Sequence, residues 1–360
     1  MRRWHGTVEL LVQPAATPAA GTSPAPVRAL AFPALVGEPE VGDDVLLTTG
    51  ALDRGLGTGG FALVAALPGR APGAALPTAG HLVKARYTPL QAMVLGVDEQ
   101  GSEHHELLRD ADDLGGMPVV VADLHSALPA VVAGVRTVRP DARVVYVMTD
   151  GGALPAWFSR TVDQLRTSGW LAGCITVGQA FGGDLEAVTV HTGLLAARLV
   201  LGADVAVVAH GPGNLGTGTR WGFSGVAAGE AVNAAAVLRG RPVASLRVSA
   251  ADPRERHRGI SHHSRTAYGR VALAAADVVV PLLDGDLGRQ VREQAAGLAA
   301  PPSPHRLVER PVTGLLEALH DVPGRLSTMG RGLAEDPTPF LAAAVAGQHA
   351  ATLLADAPGR

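Results

Sequence analysis

One stretch decides the fold class: Val205-Ala-Val-Val-Ala-His-Gly-Pro-Gly-Asn-Leu-Gly-Thr-Gly-Thr-Arg-Trp-Gly-Phe-Ser224. In this stretch an apolar run leads directly into a glycine-rich loop. Strands that are buried on both faces of a parallel sheet are apolar without alternation. Similar short apolar runs occur at 119–122, 143–148, 174–177, 243–248 and 278–281. Stretches of about 20 to 35 residues with helical spacing separate these runs. The pattern predicts an α/β fold with a doubly wound, mostly parallel, Rossmann-like sheet.

The rest of the chain divides around this α/β region. Residues 1–70 contain four β-rich runs (5–12, 27–32, 44–49 and 60–66), which predict a small β-barrel or β-sandwich domain. Residues 71–79 are rich in Pro, Gly and Ala and are interpreted as a linker. The α/β domain with the site is expected over 80–330. Residues 331–360 form a predicted C-terminal helical tail, with an Ala-rich helix over 333–356.

Composition excludes several classes of protein. Of the 360 residues, 47% are apolar and 18% charged, which argues against disorder. A net charge of −3 and only 4% aromatic residues argue against a nucleic-acid partner. The most apolar window, 194–208, is interrupted by Arg198 and Asp204, so no membrane helix is expected. The lone Cys174 cannot form an internal disulfide, which favours a cytoplasmic protein. A homo-oligomer is compatible with these features.

Polar residues follow the predicted strands at the end where parallel sheets bind ligands. Asp123 and His125 follow the first strand, Asp150 the second and Asp252 the fifth. Such residues are candidates for proton transfer or metal binding. The alternative interpretations are a helix N-cap for Asp123, a surface position for His125 and a simple turn for Asp150.

The loop after the fourth strand predicts an anion site. Exposed backbone N–H groups before a helix that starts near Ser224 would hold the anion, and Arg220 would add a positive charge. The spacing matches neither a P-loop nor a dinucleotide-binding motif, and a flexible lid without a ligand is the alternative. The candidate anion-binding residues of this loop are Gly211, Gly213, Asn214, Gly216, Thr217, Gly218, Thr219 and Arg220.

The densest polar cluster spans 252–265, which contains His257, His262, His263 and Arg256. The histidines are candidates for catalysis or metal binding, and Arg256 for anion binding. In an extended chain the adjacent His262 and His263 cannot point the same way, so at most one of them is expected to be a direct ligand. No zinc-binding spacing is present, so a divalent metal is left open as a cofactor and its identity unknown. A charged surface loop is the alternative interpretation.

Lys84 is the single lysine among 30 basic residues. Biased base composition explains the excess of arginine, but an ammonium group can also be retained for chemistry that guanidinium cannot perform. In an extended strand Lys84 and Arg86 would share one face, which favours an anion between them. We therefore include Lys84 among the candidate anion-binding residues.

Four segments carry a resemblance to a known family. They are His81–Gln91, Tyr146–Pro155, Gly211–Gly218 and Arg256–Ser264. The chain resembles domain-of-unknown-function family 3866, a bacterial family common in actinobacteria, over nearly its whole length. The resemblance implies a soluble bacterial protein and supplies no activity, cofactor or catalytic residue.

The residues themselves predict an enzyme, a hydrolase or a transferase, that acts on a small anionic or phosphorylated metabolite in a crevice at the strand ends. The absence of a Gly-x-Ser-x-Gly motif and the position of Cys174 inside a strand argue against a covalent Ser or Cys nucleophile. The alternative is a non-catalytic ligand-binding or regulatory protein whose N-terminal β domain contacts a partner.

Overall fold

A computed structural model describes residues 1–15, 25–70 and 80–354. The predicted linker at 71–79 lies outside the described residues. The chain forms two units, Met1–Leu95 and Gly96–Arg360. The segment from residue 80 to Leu95 therefore belongs to the first unit, although the sequence assigned it to the α/β domain.

The first unit contains a five-stranded mixed sheet and a separate hairpin. All four β-rich runs of the sequence contain strands of this sheet. Its order is β1-β2-β3-β5-β4, so β1 and β4 are the edges in the described residues, and a barrel or sandwich is not confirmed. The elements are β1 (Arg2–Trp4), β2 (Thr7–Val12), β3 (Val27–Ala31), α1 (Pro33–Val36), β4 (Leu46–Thr48), α2 (Gly50–Asp53), β5 (Ala62–Ala66) and the hairpin β6 (Leu82–Lys84) and β7 (Ala92–Val94).

The second unit is built on an eight-stranded parallel sheet, as the apolar runs predict. All six predicted strands are present. The strands are β8 (Pro118–Val121), β9 (Val144–Thr149), β10 (Gly173–Thr176), β11 (Leu185–Glu186), β12 (Val205–His210), β13 (Arg241–Ser245), β16 (Asp277–Leu282) and β17 (Arg306–Pro311). Two short ribbons accompany the sheet, β14 (Val248–Ser249) with β15 (Gly259–Ile260), and β18 (Ser327–Thr328) with β19 (Arg331–Gly332).

Helices cover both faces of this sheet, as in a Rossmann-like fold. Val119 and Val121 of β8 belong to a core with α6, α7 and α9, whereas Val120 belongs to a core with α4, α5, α10 and α11. This alternation follows from the two-residue period of a strand. The helices are α3 (His105–Leu108), α4 (Leu128–Val138), α5 (Arg160–Thr167), α6 (Val190–Leu199), α7 (Ala227–Val237), α8 (His262–Thr266), α9 (Gly285–Ala296), α10 (Leu315–His320) and α11 (Thr338–Thr352).

The strand order places the switch point at β8. The order is β11-β10-β9-β12-β8-β13-β16-β17, and β8 lies between β12 and β13. After β8 the chain forms β9, β10 and β11 on one side of β8 and then returns to β12, which pairs with β8. From β12 it crosses to β13, on the other side of β8. Loops that leave in opposite directions open a crevice at the carboxyl ends of these strands.

The predicted C-terminal helix exists as α11 and is part of the second unit. It packs against α4, with Phe340, Val345 and Ala351 in their shared core. Among the described helices, none has both the length and the apolar character that crossing a membrane requires.

Candidate functional site

A cavity of about 410 Å³ opens at the carboxyl ends of β8, β12 and β13. The hairpin β18–β19 supplies its remaining wall. Among the described lining residues there is no aspartate or glutamate. The polar and glycine lining comprises His125, Ser126, Gly213, Asn214, Gly216, Gly218, Arg247, Arg254, Arg256, His257, His262, His263, Ser327 and Thr328.

The segment between β14 and β15 carries much of this lining, and it is fixed from two sides. The two strands pair Val248 with Ile260, which closes the segment into a loop. Asp336, which is 1% exposed, accepts a hydrogen bond of 2.6 Å from Ser249 Oγ. Buried polar groups with satisfied hydrogen bonds hold a loop in one conformation.

Asp252 is the second anchor of this loop. Its carboxylate accepts two hydrogen bonds of 2.9 Å from the Arg254 guanidinium and lies 3.2 Å from Arg331 Nη2. The hydrogen bonds from Arg254 hold the pKa of Asp252 well below its usual range. Asp252 thus remains an ionised partner of two arginines, and its contacts position Arg254 at the cavity.

Three histidines form one cluster in the cavity wall. His257 ends a short 3-10 turn, and His262 and His263 begin α8, where the Ser261 side chain caps the helix by accepting from the backbone N–H of His263. One potential ligand nitrogen from each ring lies within 4.8 Å of the others. Because His262 and His263 lie in a helical turn, the expectation that at most one of them could be a ligand is wrong: it assumed an extended chain.

The environment keeps these imidazoles neutral. Burial, with the nearby Arg247, lowers the pKa of His257 to about 3 and that of His263 to about 2. Burial, with Arg256 and Arg265, also lowers the pKa of His262. Neutral imidazoles at neutral pH each offer a nitrogen lone pair.

Asp123 lies behind the histidine cluster at the end of β8. It is 3% exposed, and its Oδ2 has no hydrogen-bond donor among the described residues. This oxygen is 3.7 Å from His263 Nδ1, and burial raises the pKa of the carboxyl. Asp123 and the histidine cluster therefore converge, as the sequence predicts for strand ends.

His125 lines the cavity, but both of its ring nitrogens already have partners. Nδ1 is 3.1 Å from the Tyr146 hydroxyl, which itself donates to the carbonyl of His210. Nε2 is 2.8 Å from Ser159 Oγ, which caps α5. Burial lowers the pKa of His125 to about 3. These contacts give His125 a positioning role between β8, β9 and α5.

Three arginines face the cavity from the β13 side. Arg247 lies in the break between β13 and β14, with Nη1 3.2 Å from His263 Nδ1. Arg254 is oriented by Asp252, and Arg256 is exposed beside Gly218. Arg256 and His262 also line an adjoining open groove together with Arg220, Arg265, Thr266 and Arg270. Both concave surfaces therefore carry positive charge.

The glycine-rich loop after β12 folds back on itself as a hairpin-like turn. Thr217 N–H donates to Gly222 O, and the Thr219 hydroxyl accepts from Gly222 N–H. The Thr217 and Thr219 hydroxyls are also 3.1 Å apart, so they serve the loop itself. Within the described chain, by contrast, the N–H groups of three residues that line the cavity have no acceptor. They belong to Gly213, Gly216 and Gly218.

The structure does not bring every predicted residue to the cavity. Asp150 is exposed and accepts a hydrogen bond of 2.8 Å from Gln179 N–H. Gly211 is buried between Ala153 and Met148, outside the lining. Lys84 is buried in β6 of the first unit and does not belong to the lining. The strand ends at Lys84 because Ala85 has a positive φ of 48°, so Arg86 does not share its face.

The cavity lining also contains Arg247 and a wall of Ser327, Thr328 and Met329, which the sequence patterns did not predict. A single charged residue inside the apolar run 243–248 was the available signal for Arg247. No comparable signal marks residues 327–329. Thr328 accepts a hydrogen bond of 2.9 Å from Ser126, 202 residues earlier in the chain, so a tertiary contact holds this segment at the cavity.

The family described as Protein of unknown function (DUF3866) matches residues 28–347. The chain belongs to this family. No curated protein and no solved structure shows significant similarity to it.

Proposed function

We propose that this protein is an enzyme, a hydrolase or a transferase, that acts on a small phosphorylated metabolite in the cavity at the ends of β8, β12 and β13. One observation carries the proposal: three arginines and four histidines line this cavity, and its described lining contains no acidic side chain. Guanidinium groups bind phosphate by paired, charge-assisted hydrogen bonds. Arginines fixed at the site also stabilise the negative charge that develops during phosphoryl transfer or hydrolysis.

Two further features support an anionic substrate. The unpartnered N–H groups of Gly213, Gly216 and Gly218, in the proposed anion-binding loop, add further donors to the cavity. The adjoining groove, with Arg220, Arg265 and Arg270, continues the positive surface beyond Arg256. A metabolite with a second anionic group, such as a diphosphate, fits a site with this extension. We place the reaction in the cytoplasm.

Non-catalytic ligand binding is the second candidate. It is favoured by His125 and Asp252, since both are engaged by internal partners and neither is free for proton transfer. In that case the first unit, with its small mixed sheet, would contact a partner protein. Product analysis with a panel of phosphorylated metabolites separates the two functions. An enzyme would convert at least one metabolite of the panel to product. A binding protein would form no product, but a bound metabolite would raise the melting temperature of the protein.

The binding step is tested with Arg256→Gln, an exposed position whose change leaves the core intact. Loss of one charge-assisted contact costs about 1.5–3 kcal/mol, so we expect pyrophosphate affinity to fall by about 10-fold or more. Calorimetry on metal-free protein measures the affinity. Arg289→Gln is the matched control, because Arg289 lies on α9 in an exposed ion pair with Asp286. Equal affinities of wild type, Arg256→Gln and Arg289→Gln would contradict the proposed anion site.

A further inference from the structure

We propose that His257, His262 and His263 form a binding site for one divalent transition-metal ion, with Zn²⁺ the preferred ion. The site lies in the same cavity as the proposed substrate, but the proposal does not depend on that function because the metal is measured alone. Its basis is the convergence of three imidazoles: ring centroids are separated by 4.9 Å (His257–His262), 5.0 Å (His257–His263) and 4.4 Å (His262–His263).

The unused nitrogens point to a missing partner. His257 Nδ1 lies 2.8 Å from Ser261 Oγ, which leaves Nε2 of that ring for a ligand. His262 Nε2 is buried and has no hydrogen-bond partner among the described residues. A buried polar atom without a partner is costly and calls for an ion or a water. A metal ion would satisfy both nitrogens at once.

Asp123 provides the expected support behind the third ligand. Metal-binding histidines commonly donate their second ring N–H to a carboxylate. Asp123 Oδ2, which lacks a donor, is 3.7 Å from His263 Nδ1. With metal on Nε2, the proton of His263 resides on Nδ1 and faces Asp123. In the present geometry Arg247 Nη1 lies 3.2 Å from the same Nδ1 and would then turn toward an anion in the cavity.

The donor set selects the class of metal. Three neutral nitrogens without a carboxylate suit Zn²⁺ and related transition metals, whereas Mg²⁺ and Ca²⁺ require oxygen ligands. Three histidines leave the fourth tetrahedral position open, and all three residues line the cavity. Tetrahedral Zn²⁺ about 2.1 Å from each nitrogen requires nitrogens about 3.4 Å apart. The three ligand nitrogens lie within 4.8 Å of one another, so small side-chain rotations would bring them to this spacing. The positive charge of the surrounding arginines repels a bare metal cation. It therefore favours a metal ion whose fourth coordination position is occupied by hydroxide or by the substrate anion.

Stacking also holds the cluster in place. The Phe223 ring lies parallel to His263, with centroids 3.8 Å apart and an interplanar angle of 2°. Phe223 is 5% exposed and joins the glycine-rich loop to α7. A ligand ring fixed on one face by an aromatic side chain loses little freedom when the metal binds.

The test is Zn²⁺ titration of metal-free protein in competition with a chromophoric chelator. We expect one ion per chain, with a Kd of about 1 µM or tighter at pH 7.5. Each of His257→Ala, His262→Ala and His263→Ala should weaken binding by more than about 100-fold, and Asp123→Asn by about 10- to 100-fold. His320→Ala, an exposed histidine of α10, is the matched control and should bind like wild type.

Two further measurements keep the result decisive. Co²⁺ loading should give the visible absorption of a four-coordinate site in wild type and lose it in the three cluster variants. If an alanine variant fails to fold, the corresponding glutamine variant replaces it, with the melting temperature checked for each. Absence of stoichiometric Zn²⁺ binding by the folded wild type, or equal binding by all cluster variants, would overturn the metal site. Pyrophosphate binding by metal-free protein would then still support the proposed function.

Discussion

Backbone conformation at single glycines determines whether the proposed anion-binding loop can form. Gly213 and Gly218 have φ values of 97° and 80°, in the region that other residues rarely adopt. Gly216 lies in the ordinary region, and a Cβ there would meet nothing closer than Gly222 O at 4.0 Å. The loop therefore depends on glycine at 213 and 218 but not at 216.

Substitution of these glycines gives a prediction at the residue scale. A non-glycine residue forced into positive φ costs about 1–3 kcal/mol. Gly218→Val should therefore shift the loop and its N–H group and weaken pyrophosphate binding by about 5-fold or more. Gly50→Val is the control, because a Cβ on Gly50 meets nothing within 4 Å and this residue does not line the cavity, so affinity should change by less than about 2-fold. Unchanged pyrophosphate affinity of Gly218→Val, measured by calorimetry, would contradict a role of this loop in anion binding.

At the scale of elements, the crossing of α4 and α11 depends on two small residues. A Cβ on Gly134 would lie 1.9 Å from Ala344 O, and a Cβ on Gly347 would lie 1.9 Å from Val131 O. Each glycine thus admits the backbone of the other helix. Helix propensity alone favours alanine over glycine by about 1 kcal/mol, so packing and propensity oppose each other at both positions.

The contact distances indicate that packing dominates. Gly347→Ala should lower the free energy of unfolding by about 1–3 kcal/mol, because backbone atoms cannot yield as a flexible side chain does. Gly50→Ala is the control, since a Cβ on Gly50 meets nothing within 4 Å. It should change stability by no more than about 0.5 kcal/mol. Urea denaturation measures both, and a more stable Gly347→Ala protein would refute the close crossing.

At the scale of the whole molecule, buried neutral histidines link folding to pH. His125 has a pKa of about 3 in the folded chain and an ordinary value near 6.5 when unfolded. Between these values the unfolded chain binds the proton and the folded chain does not. Stability therefore falls as pH falls from about 6.5 toward 3, by up to about 1.4 kcal/mol per pH unit for this group. His257, His262 and His263 act in the same direction, whereas the raised pKa of Asp123 opposes them.

A variant isolates the share of His125 in this pH dependence. His125→Gln removes the titrating ring, so its free energy of unfolding should depend less steeply on pH between 5 and 6.5 than that of wild type. The slope is the readout, because lost hydrogen bonds to Tyr146 and Ser159 lower the stability of the variant at every pH. Urea denaturation at a series of pH values measures it. Parallel curves for the two proteins would mean that His125 keeps an ordinary pKa.

The sequence by itself determined the parallel sheet and its six predicted strands, because apolar runs and helical spacing are local patterns. It also identified Arg256 and the histidines of the cavity, since polar residues cluster after a predicted strand. Only the tertiary structure decided which polar residues converge. The order of strands brings the ends of β8, β12 and β13 together and leaves Asp150, after β9, outside the lining. Internal partners engage His125 and Asp252, and a helical turn aligns His262 with His263. Such contacts join residues far apart in the chain, as with Asp252 and Arg331, so no local pattern specifies them.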